Sequence, residues 1–301
     1  MAFTAKDVAT LRETTGAGMM ECKKALVHTD GDMDKAIEYL REIGVSVAAK
    51  KASRIASEGV VNGYCAGKVC ALAEVNCETD FVAKTEGFMG LAATVAKFAA
   101  EKNPASVEEL VALANDLCNA ETQKCGEKIT VRRFERYEVK GNGVEEFYIH
   151  GGGKIGVMLE VATDKPGTDE IKTVAHDICL HIAAYSPVYL NLEDVPADYI
   201  AKEKQILFTQ AKNDPKNANK PDAILEKMLD GRLKKSLEEI CLVAQGFVMD
   251  ESVTVGQKLA DLSKKTGIDI KLVKFTRYVM GEGLEKREDN LADEVAKMQG
   301  K

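Results

Sequence analysis

Hydrophobic residues recur along this chain with two periods, and the switches between them mark out its elements. Val8 and Leu11, then Met19, Met20, Cys22, Ala25 and Leu26, then Ile37, Leu40 and Ile43 fall at helical spacing. "TGAG" at 15–18 and "TDGDMD" at 29–34 interrupt the stripes, so three short helices are predicted. Thr4 and Asp7 have the spacing of a capping box for the first. Helix-prone "SVAAKKASRIASEG" then leads to "KVCALAEVNC" at 68–77, whose small and β-branched residues predict a strand. From Thr85 the period returns to that of a helix, through Phe88, Leu91, Ala92, Val95, Phe98 and Ala99.

A shift of 86 residues places Gly67-Lys68-Val69 on Gly153-Lys154-Ile155 and Glu74-Val75 on Glu160-Val161. The same shift puts Phe88 on Val174, Ala92 on Ile178 and Ala96 on Ile182. Each copy reads as strand, glycine-containing turn, strand, connector and helix, which predicts two similar units side by side. At the positions of Asp80 and Phe81 the second copy has Pro166 and Gly167. A plain turn therefore suffices to join strand to helix, and the Asp-Phe pair is an addition to the first copy. Further on, "DYIAKEKQILFTQAKN" and "PDAILEKMLDGRLKKSLEEI" flank the polar break "NDPKNANKP" and predict a helical hairpin over 197–240. A helix near 255–264, the strand "IKLVKFTRYVM" and a final charged helix complete the pattern.

Composition narrows the function. The 301 residues suffice for two domains at roughly 150 each, and 45% hydrophobic with 30% charged residues is an ordinary soluble balance. No uncharged apolar run approaches the ~18 residues of a membrane span, and the N-terminus has the form of neither a signal nor a transit peptide. A cytoplasmic protein is expected. A formal charge of −7 argues against direct nucleic-acid binding. The eight cysteines read as reduced thiols rather than a disulfide framework.

Catalytic constellations are scarce: there is no Walker loop, no nucleophile elbow and no zinc-type cysteine pair. No catalytic residue, metal or cofactor is expected. Asp177 and His181, at i and i+4, read as a helix-surface pair rather than two ligands of a metal. "HGGGK" at 150–154 reads as a hairpin turn with a histidine free for a partner, an oxyanion loop or phosphate nest being the alternative. Of Met19 and Met20, one is expected in the core and the other exposed as an adaptable contact. Asp80-Phe81 has two readings. It is either a capping aspartate with a phenylalanine folded into the core, or an exposed aromatic anchor with a carboxylate beside it, suited to a partner's pocket. The second copy's Pro-Gly favours the anchor.

"LRETTGAGMMECKKAL" and "EVNCETDFVAK" closely resemble the elongation factor Ts family, and "HGGGKIGVMLEV", "DICLHIAA" and the stretch from "ILEKMLDGRLKK" to "GEGLEKREDNLADEVA" extend the match nearly end to end. The resemblance implies a guanine-nucleotide exchange factor for elongation factor Tu, binding the GDP form and promoting GDP release. It implies an α+β chain with a ubiquitin-associated-like three-helix module at 1–45, a helical linker at 46–58 and a core of two related subdomains at 59–140 and at 141–196 with 241–285. The hairpin at 197–240 would be an insertion of dimerisation type, allowing a homodimer within a Tu–Ts heterotetramer, and 286–301 a C-terminal helix. Thr79, Asp80, Phe81 and Val82 would enter the partner's GTPase domain and disturb its Mg²⁺ site. Arg12, Met19, Met20 and Lys23 would dock beside the same domain, and His150 and Gly151 would reach a different one. Gly246 departs from the family, which often has proline there. An enzyme using "HGGGK" with His176 or His181, and an adaptor acting through the N-terminal module, are the rival classes.

Overall fold

The computed structural model of the chain describes residues 3–15, 17–214 and 221–285. The expected C-terminal helix at 286–301 and most of "NDPKNANKP" lie outside the described residues. Helices α1 (Ala5–Thr15), α2 (Met19–His28) and α3 (Met33–Lys51) close around Leu11, Cys22, Ala25, Leu26, Ala36 and Leu40. The capping box forms: the Thr4 amide donates to Asp7 Oδ2 at 2.7 Å and the Asp7 amide to Thr4 Oγ1 at 3.4 Å. α3 runs unbroken to Lys51, so the helix-prone linker begins as a continuation of the third helix.

Two units of the same topology follow. In the first, β1 (Glu58–Ala66) pairs with β2 (Val69–Cys77), a one-turn helix α4 (Asp80–Ala83) leads to α5 (Glu86–Lys102), and α6 (Val107–Cys125) brings back β3 (Thr130–Glu138). In the second, β4 (Gly143–His150) pairs with β5 (Ile155–Thr163), and α7 (Asp169–Tyr185) follows. The chain then makes α8 (Ala197–Asn213) and α9 (Asp222–Ile240), the short hairpin β6 (Gly246–Phe247) and β7 (Asp250–Thr254), and α10 (Val255–Thr266) before β8 (Ile270–Val279). The antiparallel sheets β1-β2-β3 and β4-β5-β8 each carry a helix, α5 or α7, on the outer face. Helices and antiparallel strands segregate in this way in an α+β chain.

The likeness extends to irregularities. The register breaks between Glu74 and Val75 against β3, and between Glu160 and Val161 against β8, the same place in each unit. The strands β2 and β5 stand 86 residues apart, as the sequence predicts, but α5 and α7 stand 83 apart. Their buried stripes match at that shorter offset: Phe88, Leu91, Ala92, Val95, Ala96, Ala99 and Ala100 against Ile171, Val174, Ala175, Ile178, Cys179, Ile182 and Ala183. The helix pairings expected at 86 are therefore corrected. A slip of three residues is close to one helical turn, so apolar positions stay in phase under either offset. The first connector is three residues longer, and those residues belong to the α4 region.

The inner faces of the two sheets pack on one another. Val61, Cys70, Leu72, Tyr137 and Met158 are buried there, with Phe147, Ile149 and Tyr278 against them. β2 is buried on both faces, which explains its nearly continuous run of small and apolar residues. Gly156 allows the close approach: a Cβ there would stand 2.3 Å from Val61 Cγ1. The seam also contains charge. Glu74, fully buried, accepts from Arg132 Nη1 at 2.9 Å, Arg133 Nε at 2.6 Å and the Gly281 amide at 2.8 Å. Burial pushes this carboxyl up, but the Gly281 amide and the two guanidiniums outweigh it and hold it below the ordinary value. Cys65 and Cys70 face each other across β1 and β2 with their sulfurs paired, whereas six other cysteines are free. The expectation of eight separate thiols is corrected for that pair, which strand register brings together.

Two outcomes follow from the seam. Gly156→Ala forces a methyl into Val61, and overpacking of this kind costs about 1–3 kcal/mol, read as a lower urea midpoint at unchanged m-value. Glu145 faces Glu160 across β4 and β5, and neither of its buried oxygens has a hydrogen-bond partner among the described residues. Burial first, then Glu160, push it up from 4.5 to about 8, with Lys274 opposing. The folded chain thus keeps a proton that the unfolded chain releases, so this group's contribution to stability declines as pH rises through that window. Glu145→Gln should remove this part of the decline. Its urea midpoint should gain on the wild type between about pH 5 and about pH 8, and a constant difference would refute the assignment.

Candidate functional site

The connector after β2 presents one aromatic side chain and anchors the residues around it. Thr79, in extended conformation, caps α4 by accepting from the Val82 amide at 3.4 Å. Val82 and Ala83 turn inward against the core beneath α5, whereas Phe81 is 80% exposed. Thus Thr79, not Asp80, is the cap, and Phe81 stays out of the core. Asp80 is half-exposed and paired with Lys84 one turn on. The hydrogen bond from Lys84, with the further charges of Lys84 and Lys154, holds its carboxyl below the ordinary range. A carboxylate and a phenyl ring therefore stand together on the surface, on a turn fixed from below.

The glycine turn of the second unit lies close by. Gly151, Gly152 and Gly153 all have positive φ, and the amides of Gly153 and Lys154 return to the His150 carbonyl at 3.2 and 3.0 Å. "HGGGK" is thus a tight hairpin turn between β4 and β5. His150 is exposed, with Nδ1 3.0 Å from the Tyr148 hydroxyl, and the Tyr148 ring meets His176 edge-on at 5.7 Å. A cleft of about 290 Å³ is lined from one side by Asp80, Ala83 and Lys84 and from the other by Gly151, Gly152 and Lys154. The fold brings the Asp-Phe connector and the glycine turn to one place.

Arg12, Met19, Met20 and Lys23 are exposed on the separate three-helix module. Both methionines are open, at 55% and 64% exposure, which corrects the expectation that one is buried. They are the first two residues of α2, and its inward stripe starts only at Cys22. His181 is also corrected. It is fully buried, with Nε2 2.9 Å from Gln245 Oε1 and Nδ1 accepting from the Val248 amide at 3.1 Å. Burial lowers its pKa although the Gln245 bond opposes this, so it packs as a neutral core ring rather than a surface partner of Asp177. Among the described residues no three His, Cys, Asp or Glu side chains converge as a metal site, and no helix is long and apolar enough to cross a membrane. Local pattern gives no hint of Glu127 and Lys128, which hold the connector from the loop after α6. Both look like surface charges until the fold closes.

Comparison with known proteins gives a consistent result. The family described as Elongation factor TS matches residues 78–282. Elongation factor Ts of Clostridium perfringens strain SM101 is 46% identical over 308 aligned residues, covering 99% of this chain and 100% of that protein. Elongation factor Ts of Symbiobacterium thermophilum is 46% identical over 303, covering 99% and 98%. That of Clostridium acetobutylicum is 45% identical over 305, covering 98% of each. Similarity at this level spans the three-helix module, both sheet units and the helical hairpin alike, and the chain belongs to the elongation factor Ts family.

Proposed function

We propose that this protein is a guanine-nucleotide exchange factor for elongation factor Tu, and that Thr79, Asp80, Phe81 and Val82 form the element that enters the partner's GTPase domain. The observation that carries the reading is Phe81, 80% exposed on a short turn anchored by its neighbours. Holding a large apolar ring in water has no advantage for the fold, and the second unit does without it. Aromatic anchors in a partner's pocket supply much of an interface's energy. GDP on a P-loop GTPase is held by backbone donors, a lysine and a Mg²⁺ ion bridging protein and phosphate oxygens. A phenyl wedge that shifts an element beside that ion loosens the coordination, and Asp80 offers an acceptor to donors displaced by the shift. No bond is made or broken, so the protein needs no catalytic group of its own.

Arg12, Met19, Met20 and Lys23 form the second contact, on the three-helix module. His150 and Gly151 form a third, at the glycine turn. The cleft shared by that turn and Asp80 supports contacts that begin from one continuous surface.

Release of a fluorescent GDP from elongation factor Tu tests the reading. Phe81→Ala should leave the thermal midpoint nearly unchanged, because an exposed ring contributes little to the core. It should slow stimulated release about thirtyfold, equivalent to about 2 kcal/mol of lost anchor contact. Asp80→Ala should slow it less, and changing both Pro166 and Gly167 to Ala should have almost no effect. A Phe81→Ala protein that melts early, while its folded fraction exchanges at the full rate, would make Phe81 a core residue and end the proposal.

A further inference from the structure

Thr79 is gripped at each of its polar groups. Glu127 Oε2 accepts from the Glu78 amide at 3.1 Å and from the Thr79 amide at 3.0 Å. Glu127 Oε1 accepts from the Thr79 hydroxyl at 2.6 Å. The Cys77 thiol, which burial pushes up to about 12, stays protonated and donates to the Thr79 carbonyl at 3.1 Å. Three donors on one carboxylate are charge-assisted bonds, the stronger kind. α4 is four residues long, far below the length at which a helix persists unaided, so its shape depends on such ties.

The duplicated unit separates what the fold needs from what the connector needs. In the first unit the Lys128 amide donates to Glu78 Oε1 at 2.7 Å. In the second, the Asp269 amide donates to Asp164 Oδ1 at 2.9 Å. Glu78 and Asp164 follow β2 and β5 directly; Lys128 lies two residues before Thr130, the partner of Asn76, and Asp269 two before Lys271, the partner of the equivalent Ala162. That tie is common to both copies. The residue before it is Glu127 in the first copy and the buried Ile268 in the second. The carboxylate that clamps the connector is present only where the connector is three residues longer and carries Phe81.

We propose that Glu127 is a positioning residue for nucleotide exchange: it holds the Thr79–Val82 turn in the conformation that projects Phe81, before any partner is met. This rests on the reading of Phe81 as the inserted element. The clamp is itself braced. Lys128 Nζ donates to the carbonyls of Ala52 and Arg54 at 2.7 and 2.9 Å, Arg54 pairs with Glu78 at 3.2 Å, and Lys51 Nζ donates to the Gly126 carbonyl. The loop that fixes the wedge is thereby joined to the end of α3, the last helix of the N-terminal module. A wedge already ordered avoids losing that freedom on association.

The test is stimulated release of fluorescent GDP from elongation factor Tu by the full chain, with backbone amide exchange read on the same variants. Glu127→Ala should slow release roughly tenfold, less than the roughly hundredfold that a full 1 Å misplacement can cost, with the Glu78 and Thr79 amides exchanging faster while residues 71–75 of β2 stay protected. Glu127→Gln keeps one oxygen for the two amides and should recover most of the rate. In a Phe81→Ala background, Glu127→Ala should slow release no further, because Glu127 acts through that ring. Release at the wild-type rate by Glu127→Ala, or an equal loss in both backgrounds, would overturn the positioning role while leaving the wedge intact. If Phe81→Ala itself exchanges at full speed, the wedge reading fails and takes the role of Glu127 with it.

Discussion

A buried carboxylate, Glu74, joins the two halves of this molecule. It lies in the middle of β2 on the face turned toward the second sheet, and it meets the guanidiniums of Arg132 and Arg133 on β3 and the backbone just past β8. Arg133 also reaches the Val279 carbonyl at 2.9 Å, and Arg132 the Glu282 carbonyl. A charge removed from water is tolerated only when it is paired and hydrogen-bonded, and removing one partner of such a group typically costs about 3–5 kcal/mol. The apolar contacts of the seam supply non-directional attraction. The Glu74 network supplies direction, because its acceptors and donors fit one placement of one sheet on the other. The relation between the Asp-Phe connector of the first unit and the glycine turn of the second depends on that placement.

The second unit shows how a shared plan was specialised. Its Glu160 occupies the place of Glu74, but among the described residues its one ion pair is with Lys274, at 3.5 Å, and it faces Glu145, whose oxygens have no hydrogen-bond partner there. One copy has a satisfied buried carboxylate that ties the halves together; the other has a carboxylate pair that holds a proton. The connectors diverge likewise. Five residues with a proline and a glycine link β5 to α7, whereas the longer first connector has room for a capped helical turn and an outward ring. The two roles are thus partly separated along the chain: the sheets and helices make the frame, and a short insertion presents the exposed ring.

Much of the frame is legible locally. The run from Lys68 to Cys77 reads as a strand from its small and β-branched residues, and the stripes of α5 and α7 read as helices because their apolar residues repeat at the helical period. What is illegible is mostly non-local. The third strand of each sheet joins from far along the chain: β3 follows α6, and β8 comes more than a hundred residues after β5. α6 buries only a thin stripe, with Leu110 and Ala114 its fully buried apolar residues, so its period is weak. His181 reads as a surface residue because its partner, Gln245, is 64 residues away. Of the site, Asp80 and Phe81 stand out because the second copy lacks them. Glu127 does not, since an acidic residue after a helix is ordinary until the fold sets two backbone amides and a hydroxyl against it.

A wedge that displaces the elements holding GDP is expected to bind the empty partner better than the GDP-bound one, and linkage then requires GDP to weaken its hold by the same factor. The rigid turn under Phe81 suits that task, since a wedge that yields cannot displace what it meets. The most direct measurement is calorimetric titration of this protein into elongation factor Tu, once stripped of nucleotide and once saturated with GDP. The expected result is markedly tighter binding to the stripped form, matched by an equal loss in the GDP affinity of the complex. Equal affinity for the two forms, or no binding to either, would contradict the exchange mechanism at its root.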